Sequence, residues 1–234
     1  MKRRIITTLS ILIIIAFGGI MFAHFRKQTP QPDEPREKII SLPPPARVSD
    51  TSLESALWER RSIREYQDEE LSMTEVSQLL WSAQGINRPP KYRTVPSAGA
   101  LYPLEIYLLV GMVDDLSPGL YRYRPHNHDL EQIFPGDKRS QLSSAALNQE
   151  MVEEAPAVII ITAVYERTTV KYGDRGIQYV HMEVGSAAQN VYLQAASLNL
   201  GTVFIGAFHD EQVKNTLDLP NDETPLAILP IGRR

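Results

Sequence analysis

The sequence predicts an α+β domain, and three observations carry that expectation. Two apolar, β-rich runs, Leu104–Val110 and residues 157 to 164, have the length and composition of strands buried on both faces. Residues 180 to 201 form a helical pattern with few charges on any face, which marks a central helix. Strands and helices are mixed along residues 51 to 234 in an order that suits a layered α+β or α/β domain, not a barrel of repeating units.

The elements follow in order. Lys2, Arg3 and Arg4 precede an uncharged stretch, residues 5 to 23, whose 19 positions match the roughly 20 needed to cross a bilayer as a helix. Residues 19 to 24, GIMFAH, lack a small-x-small cleavage site, so residues 1 to 23 read as an uncleaved single-pass anchor rather than a signal segment. The basic cluster favours the N-terminus inside and the domain on the extracytoplasmic side, a bias opposed by Arg26, Lys27, Arg36 and Lys38. Residues 24 to 50 hold Pro30, Pro32, Pro35, Pro43, Pro44 and Pro45 among charges and read as a semi-extended linker. The globular domain is expected over residues 51 to 234. Ser52 can cap a first helix ending near Arg61, and Thr74 a second that carries Val76, Leu79, Leu80 and Ala83 and stops at Gly85. Residues 119 to 133 read as a hairpin turning at residues 125 to 128. Gly201 is expected to close the long helix, strands follow over residues 202 to 205 and 226 to 231, and a short helix after Asp210 lies between them.

Composition narrows the chemistry. A chain of 234 residues with no cysteine has no disulfide, thiolate metal site, iron–sulfur cluster or Cys nucleophile, so redox chemistry would need a cofactor. A net charge of -4 argues against a nucleic-acid partner. Neither G-x-G-x-x-G after a strand, nor a P-loop, nor a G-x-S-x-G elbow is present. His126 and His128, followed by Asp129, are the best metal candidate, but no third clustered ligand accompanies them, and they read as a solvated turn.

Four stretches can carry chemistry. ERRSIREY, residues 59 to 66, places Arg60, Arg61, Ser62 and Arg64 together, and guanidinium forks suit phosphate or an electron-rich carbonyl edge. A solvated helix end is the alternative. Pro96, Ser97, Ala98 and Gly99 form a small-residue loop before a buried strand, and Gly206 and Ala207 follow a short strand in TVFIGAF. Both let backbone approach a ligand closely, or merely turn the chain. LPIGRR ends in Arg233 and Arg234, which otherwise form a frayed tail. Together they supply cations for a phosphate, small loops for a flat ring and a backbone donor at its edge, the needs of flavin mononucleotide, FMN.

ERRSIREY, PSAGALYPLEIY, KYGDRGIQY, GSAAQNVYLQAASLNLGTVFIGAF and LPIGRR, in that order, resemble the nitroreductase superfamily, and PSAGALYP resembles its SagB-type dehydrogenase branch. The resemblance covers essentially all of residues 51 to 234. It implies a central mixed sheet flanked by helices, and a homodimer with FMN at the subunit interface. It also implies an oxidoreductase transferring hydride through flavin N5, with NADH or NADPH as electron donor and a small molecule or peptide as substrate. By position, Arg60, Ser62 and Arg64 would hold the phosphate, ribityl chain or pyrimidine edge. Pro96, Ser97, Ala98 and Gly99 would come from the partner subunit, Gly206 and Ala207 would approach N5, and Arg233 or Arg234 would return to the phosphate. Gln189 and Asn190 match a polar pair of the central helix, or make a packing hydrogen bond. Lys171 and Tyr172 match the pair that abstracts a proton in azoline-oxidising members; the alternative is a polar turn. Membrane attachment departs from the family's usual soluble pattern. A peptide azoline dehydrogenase and a non-catalytic flavin-binding protein are the rival functions.

Overall fold

A computed structural model describes residues 38–234. The expected anchor, residues 1 to 23, and most of the expected linker lie outside the described residues. Among the described residues no helix is long and apolar enough to cross a membrane.

Seven strands form one sheet in the order β1 (Ile39–Ser41), β6 (Asp129–Pro135), β5 (Gly119–Arg124), β4 (Leu104–Val110), β7 (Ala157–Ala163), β9 (Thr224–Arg233) and β8 (Leu200–Thr202), while β2 (Ile86–Arg88) and β3 (Tyr92–Arg93) pair separately. Every pairing between these strands is antiparallel. Among the described residues parallel pairing, the remainder of the expected mixture, is confined to the isolated bridges Ser62–Thr202 and Leu71–Val113. Alternation along the central strands feeds two cores. Leu104, Ile106, Leu108 and Val110 of β4 face one, and Tyr107 and Leu109 the other. Both faces are covered, which is why these strands read as unbroken apolar runs.

The first face is covered by α6 (Arg175–Ser197), through Val180, Val184, Ala187, Ala188, Val191 and Ala195. Their spacing of three and four residues is one helical stripe, and the alanines let the helix lie close to the sheet. Helix α2 (Met73–Gln84) packs beside it: Gln78 Nε2 donates to Gln194 Oε1 at 2.9 Å, and Asn190 Nδ2 to the Ser82 carbonyl at 3.1 Å. Asn190 therefore makes the packing contact weighed for it above. The second face is covered by α3 (Arg139–Ala145), α4 (Met151–Glu154) and α7 (Asp210–Leu217), with Leu142, Val152, Val213 and Leu217 buried. A fully buried Leu or Val is worth about 1.5–3 kcal/mol. The two faces thus fix the sheet, and the sheet ends position the loops.

Several boundaries differ from expectation. Helix α1 (Leu53–Glu59) is capped by Ser52 as expected, but α2 is capped by Ser72 rather than Thr74. Glu75 completes a capping box by accepting the Ser72 N–H at 2.8 Å, a reciprocal arrangement closed to Thr74, which has Ser77 three residues on. Helix α6 begins at Arg175 and ends at Ser197, so Gly201 does not close it. Gly201 lies in β8, where a Cβ would meet Ile63 Cγ2 at 2.7 Å, and the helix exit uses Asn199 at φ +57°. The expected linker over residues 24 to 50 ends earlier, because residues 39 to 46 belong to the fold. β1 extends the sheet along β6, Leu42 is buried, and Gln78 bonds both the N–H and the carbonyl of Ala46.

His128 is likewise not a solvated turn residue. Its Nε2 lies 2.9 Å from the Pro43 carbonyl and 2.8 Å from Ser77 Oγ, and its Nδ1 lies 2.9 Å from Tyr123 Oη. The imidazole pins the N-terminal strap, while His126 stays exposed. Desolvation lowers the His128 pKa.

Candidate active site

One group of candidate residues gathers where the chain leaves α1. Ile63 N–H donates to the Thr202 carbonyl at 2.9 Å, and Ser62 bridges Thr202, so the ERRSIREY stretch is laid along β8. This close approach requires the missing side chain of Gly201. Arg61, Ser62, Arg64 and Arg234 then line an open cavity of about 470 Å³ with Ile63 and Glu65. Arg60 does not line it; its guanidinium sits 5.2 Å from the centre of the Tyr192 ring. Tyr192 Oη is also 2.9 Å from Ser62 Oγ and accepts the Phe204 N–H at 2.8 Å. Sequence reasoning missed Tyr192, which lies in the buried stripe of α6.

The two terminal arginines part company. Arg234 donates from Nε to Asn199 Oδ1 at 2.7 Å and stays beside the cavity. Arg233 is spent elsewhere: Nη1 and Nη2 hold the Glu75 carboxylate at 2.5 and 3.0 Å. Of the two arginines expected at a phosphate, Arg234 lines the cavity, whereas Arg233 ties the end of β9 to the start of α2. Burial pushes the Glu75 carboxyl up, but the Ser72 N–H and the Arg233 guanidinium outweigh it and hold the pKa below the ordinary value. Gly206 and Ala207 are exposed just beyond Ile205, whose N–H and carbonyl pair with Ile228. The Ala207 carbonyl accepts from Gln149 Nε2 at 3.0 Å, while neither N–H finds an acceptor among the described residues. Two residues earlier, Phe204 connects this segment through Tyr192 to Ser62 of the cavity.

A second group gathers around the small-residue loop. Gly99 has φ +64°, and Ala100 and Tyr102 follow at +54° and +48°, conformations that cost a residue with a side chain energy. A Cβ on Gly99 would lie 2.9 Å from Tyr172 Oη and 3.0 Å from Lys171 Nζ. The loop and the Lys–Tyr pair therefore meet within one chain. Lys171 and Tyr172 end α5 (Glu166–Tyr172), and Gly173 at φ +56°, ψ -147° turns into α6. The stretch whose alternative reading is a polar turn is a helix end with its glycine.

The structure also explains why Leu101-Tyr102-Pro103 follow the loop. Ser97 Oγ accepts the Tyr102 N–H at 2.9 Å, Arg167 Nη1 donates to the Tyr102 carbonyl at 3.1 Å, and Val164 N–H donates to the Pro103 carbonyl at 2.9 Å. The Arg93 guanidinium stacks 4.5 Å from the Tyr102 ring centre and donates to Gln84 Oε1, whose amide meets Glu183 at 3.3 Å. Burial raises the Glu183 pKa, against hydrogen bonds from Ser97 and Gln84 and the charge of Arg93. Glu183 had a readable signal: it is a lone carboxylate in phase with Val180, Val184 and Ala187 on a helix poor in charges. Arg93 had none.

The two groups stand apart in one chain. Tyr172 packs edge-on against Tyr179 at 5.2 Å, whereas Ser62 and Arg60 meet Tyr192. Tyr179 and Tyr192 lie 13 residues apart on α6, about 20 Å along its axis.

A profile of the Nitroreductase family matches residues 57–233. The chain belongs to the nitroreductase family. It is 47% identical over 187 residues to a protein of Methanocaldococcus jannaschii named as a nitroreductase, covering 80% of this chain and 93% of that one. The crystal structure of a protein described as a nitroreductase from Ralstonia eutropha superposes with TM-score 0.74 at 33% identity, over 84% of this chain and 90% of its own. The microcin B17-processing protein McbC of Escherichia coli is 28% identical over 155 residues, 64% of this chain and 57% of McbC. The fold is that of the nitroreductases, and the family's members are generally flavin-dependent oxidoreductases.

Proposed function

We propose that this nitroreductase-family protein is an FMN-dependent oxidoreductase that moves hydride through flavin N5, working as a homodimer anchored to a membrane by residues 5 to 23. The observation that carries the reading is the donor set of the 470 Å³ cavity, Arg61, Ser62, Arg64 and Arg234, linked through Tyr192 and Phe204 to the segment that carries Gly206 and Ala207. These residues fit a flavin nucleotide: fixed cations and a hydroxyl suit its phosphate, and backbone N–H groups suit the edge of a flat ring. Thr202 Oγ1, buried beside Ser62 with no partner, leaves one more hydroxyl at this end. Bound FMN supplies the hydride-accepting ring, with NADH or NADPH as the electron donor. The chain holds and orients it and offers Lys171 and Tyr172 as proton-handling groups near the loop. The full-length chain, purified in detergent, should be yellow and bleach under anaerobic NADH or NADPH. A colourless chain that cannot take up FMN defeats the reading.

The homodimer is supported by the placing of the two groups at different turns of α6, Tyr172 against Tyr179 and Ser62 against Tyr192, about 20 Å further along the axis. A two-fold pairing can set one group of a subunit against the other group of its partner. Leu57 and Trp58 on α1 and Ile177 and Met182 on α6 are exposed apolar side chains that such a pairing would cover. Chains carrying Ser62→Glu and chains carrying Gly99→Trp, each inactive, should regain about one quarter of normal activity when mixed equally. Random pairing makes half the dimers mixed, with one of two sites intact. No recovery refutes a shared site. The anchored domain is proposed to lie outside the cytoplasm, and its full protection from protease added to intact cells would refute that.

A second reading, oxidation of azoline rings in a modified peptide, is favoured by Lys171 Nζ and Tyr172 Oη flanking the Gly99 loop and by the likeness to McbC. There Lys171 or Tyr172 would remove the ring proton as hydride departs. Lys171→Ala should then lower turnover on an azoline peptide by about 100-fold or more with FMN still bound. Unchanged turnover removes this role. A non-catalytic flavin binder would stay yellow but never bleach.

A further inference from the structure

Tyr192 makes three contacts that no other α6 side chain combines. It accepts the Phe204 N–H at 2.8 Å, meets Ser62 Oγ at 2.9 Å, and offers its ring to the Arg60 guanidinium at 5.2 Å. The proton positions follow from donor and acceptor rules. A backbone N–H can only donate, so Tyr192 Oη is an acceptor toward Phe204. Tyr192 is 9% exposed, and Ser62 Oγ is the acceptor within reach among the described residues for its own proton. With the phenol proton given to Ser62, the serine's own hydroxyl proton points away from Tyr192. Ser62 is exposed and lines the cavity that Arg61, Arg64 and Arg234 also line.

We infer that Tyr192 is the positioning residue that turns the Ser62 hydroxyl outward as a fixed donor to an anionic phosphate, and so makes the cavity select the phosphorylated flavin over its unphosphorylated form. Without Tyr192 Oη the Ser62 hydroxyl rotates freely and is as ready to accept as to donate. The donor chain Phe204 N–H, Tyr192 Oη–H, Ser62 Oγ–H is oriented before any ligand arrives, which lowers the ordering cost of binding. The ring keeps its second contact, with the Arg60 guanidinium. The inference rests on the flavin reading proposed above.

The test measures binding of FMN and of riboflavin, which lacks the phosphate, to the full-length chain by fluorescence titration. Tyr192→Phe keeps the ring beneath Arg60 and removes one oxygen. It should weaken FMN about tenfold, the scale of one hydrogen bond to a charged acceptor, and riboflavin less than about twofold. Ser62→Ala should reproduce that loss, and the double variant should again lose about tenfold rather than about a hundredfold, because both changes remove one device. Equal weakening of both ligands by Tyr192→Phe, no weakening of FMN, or full additivity in the double variant overturns the inference while leaving the flavin site standing. Failure of the unaltered chain to bind FMN overturns both. If Tyr192→Phe does not fold, Ser62→Ala decides alone, and an unchanged ratio of FMN to riboflavin affinity overturns the inference.

Discussion

Replacing Gly99 with alanine separates what the small-residue loop does for stability from what it does for chemistry. Gly99 has φ +64°, and the new Cβ would lie 2.9 Å from Tyr172 Oη and 3.0 Å from Lys171 Nζ. Holding an L-residue in the left-handed region costs about 1–2 kcal/mol. The two contacts cost less, because both are with the far ends of side chains that can swing aside. Backbone strain therefore dominates stability, and for a domain of this size about 1 kcal/mol lowers Tm by roughly 2–4 °C. Function responds to the other effect. A displacement of about 1 Å can cost about 100-fold in rate, so a shift of a few tenths of an ångström should cost roughly 3- to 10-fold. Thermal melting, FMN titration and steady-state turnover read the three quantities separately. The expected result is a small fall in Tm, a larger fall in turnover, and little change in FMN affinity for the phosphate end. A lowered Tm with unchanged turnover would show that Lys171 and Tyr172 do not act from this position. An unchanged Tm would remove the left-handed turn from the account.

Three further outcomes follow from the same geometry. Glu183→Gln keeps a partner for Gln84 and removes a carboxyl whose pKa burial raises above 4.5. A raised acid pKa means the folded state holds the proton more tightly, so the native carboxylate costs stability as pH rises from 4.5 through the raised value. The variant's gain in Tm should therefore grow over that window and then level off, and a gain independent of pH counts against the burial argument. Arg233→Ala should cost about 1 kcal/mol at neutral pH and little in acid, since the pair is partly screened by solvent. Glu75 has a lowered pKa, so its contribution is complete above 4.5 and is lost as pH falls through the folded value; urea melts at several pH values would show the two chains converging in acid. Gly201→Ala would press a Cβ to 2.7 Å from Ile63 Cγ2 and 2.9 Å from Ile63 Cβ, at a cost of about 1–3 kcal/mol in urea unfolding. Because Ser62 adjoins Ile63, FMN affinity should fall as well, and an unaltered affinity would disconnect β8 from the cavity.

The parts legible in the sequence were those governed by periodicity. β4 was readable because both its faces are buried, and α6 because its apolar spacing holds through Val191 and Ala195. Its start was missed because Arg175 and Gln178 at the solvent-facing N-terminal turn look like the polar turn before them. The strap over residues 39 to 46 was missed because three prolines mask a three-residue edge strand whose support comes from Gln78, Ser77 and His128, far away in the chain. The same reason hid Tyr192 and Arg93. Each acts through partners distant in sequence, and nothing local separates Tyr192 from any half-polar side chain in a buried stripe. Arg233 and Arg234 were equivalent on the page; only the position of Glu75 assigns one to structure and leaves the other at the cavity.

The loop and the Lys171–Tyr172 pair behave as one body, and the reason lies in how the loop's strain is offset. Ala100 and Tyr102 at positive φ cost about 1–2 kcal/mol each. Against this stand two hydrogen bonds to the Tyr102 backbone, worth about 0.5–1.5 kcal/mol each, and the Arg93 stack on its ring, worth about 0.5–2 kcal/mol. The terms are comparable, so the loop keeps its shape only while its clamps are in place. One clamp, Arg167, sits on α5, four residues before Lys171, and is itself fixed by Glu105 of β4 at 2.6 Å. The helix that presents the Lys–Tyr pair therefore also holds the loop that the pair touches. The arginine cavity is tied instead to the far half of α6 through Tyr192. Helix α6 is the spacer between the two groups, and its length, rather than any one contact, sets which turn each one meets.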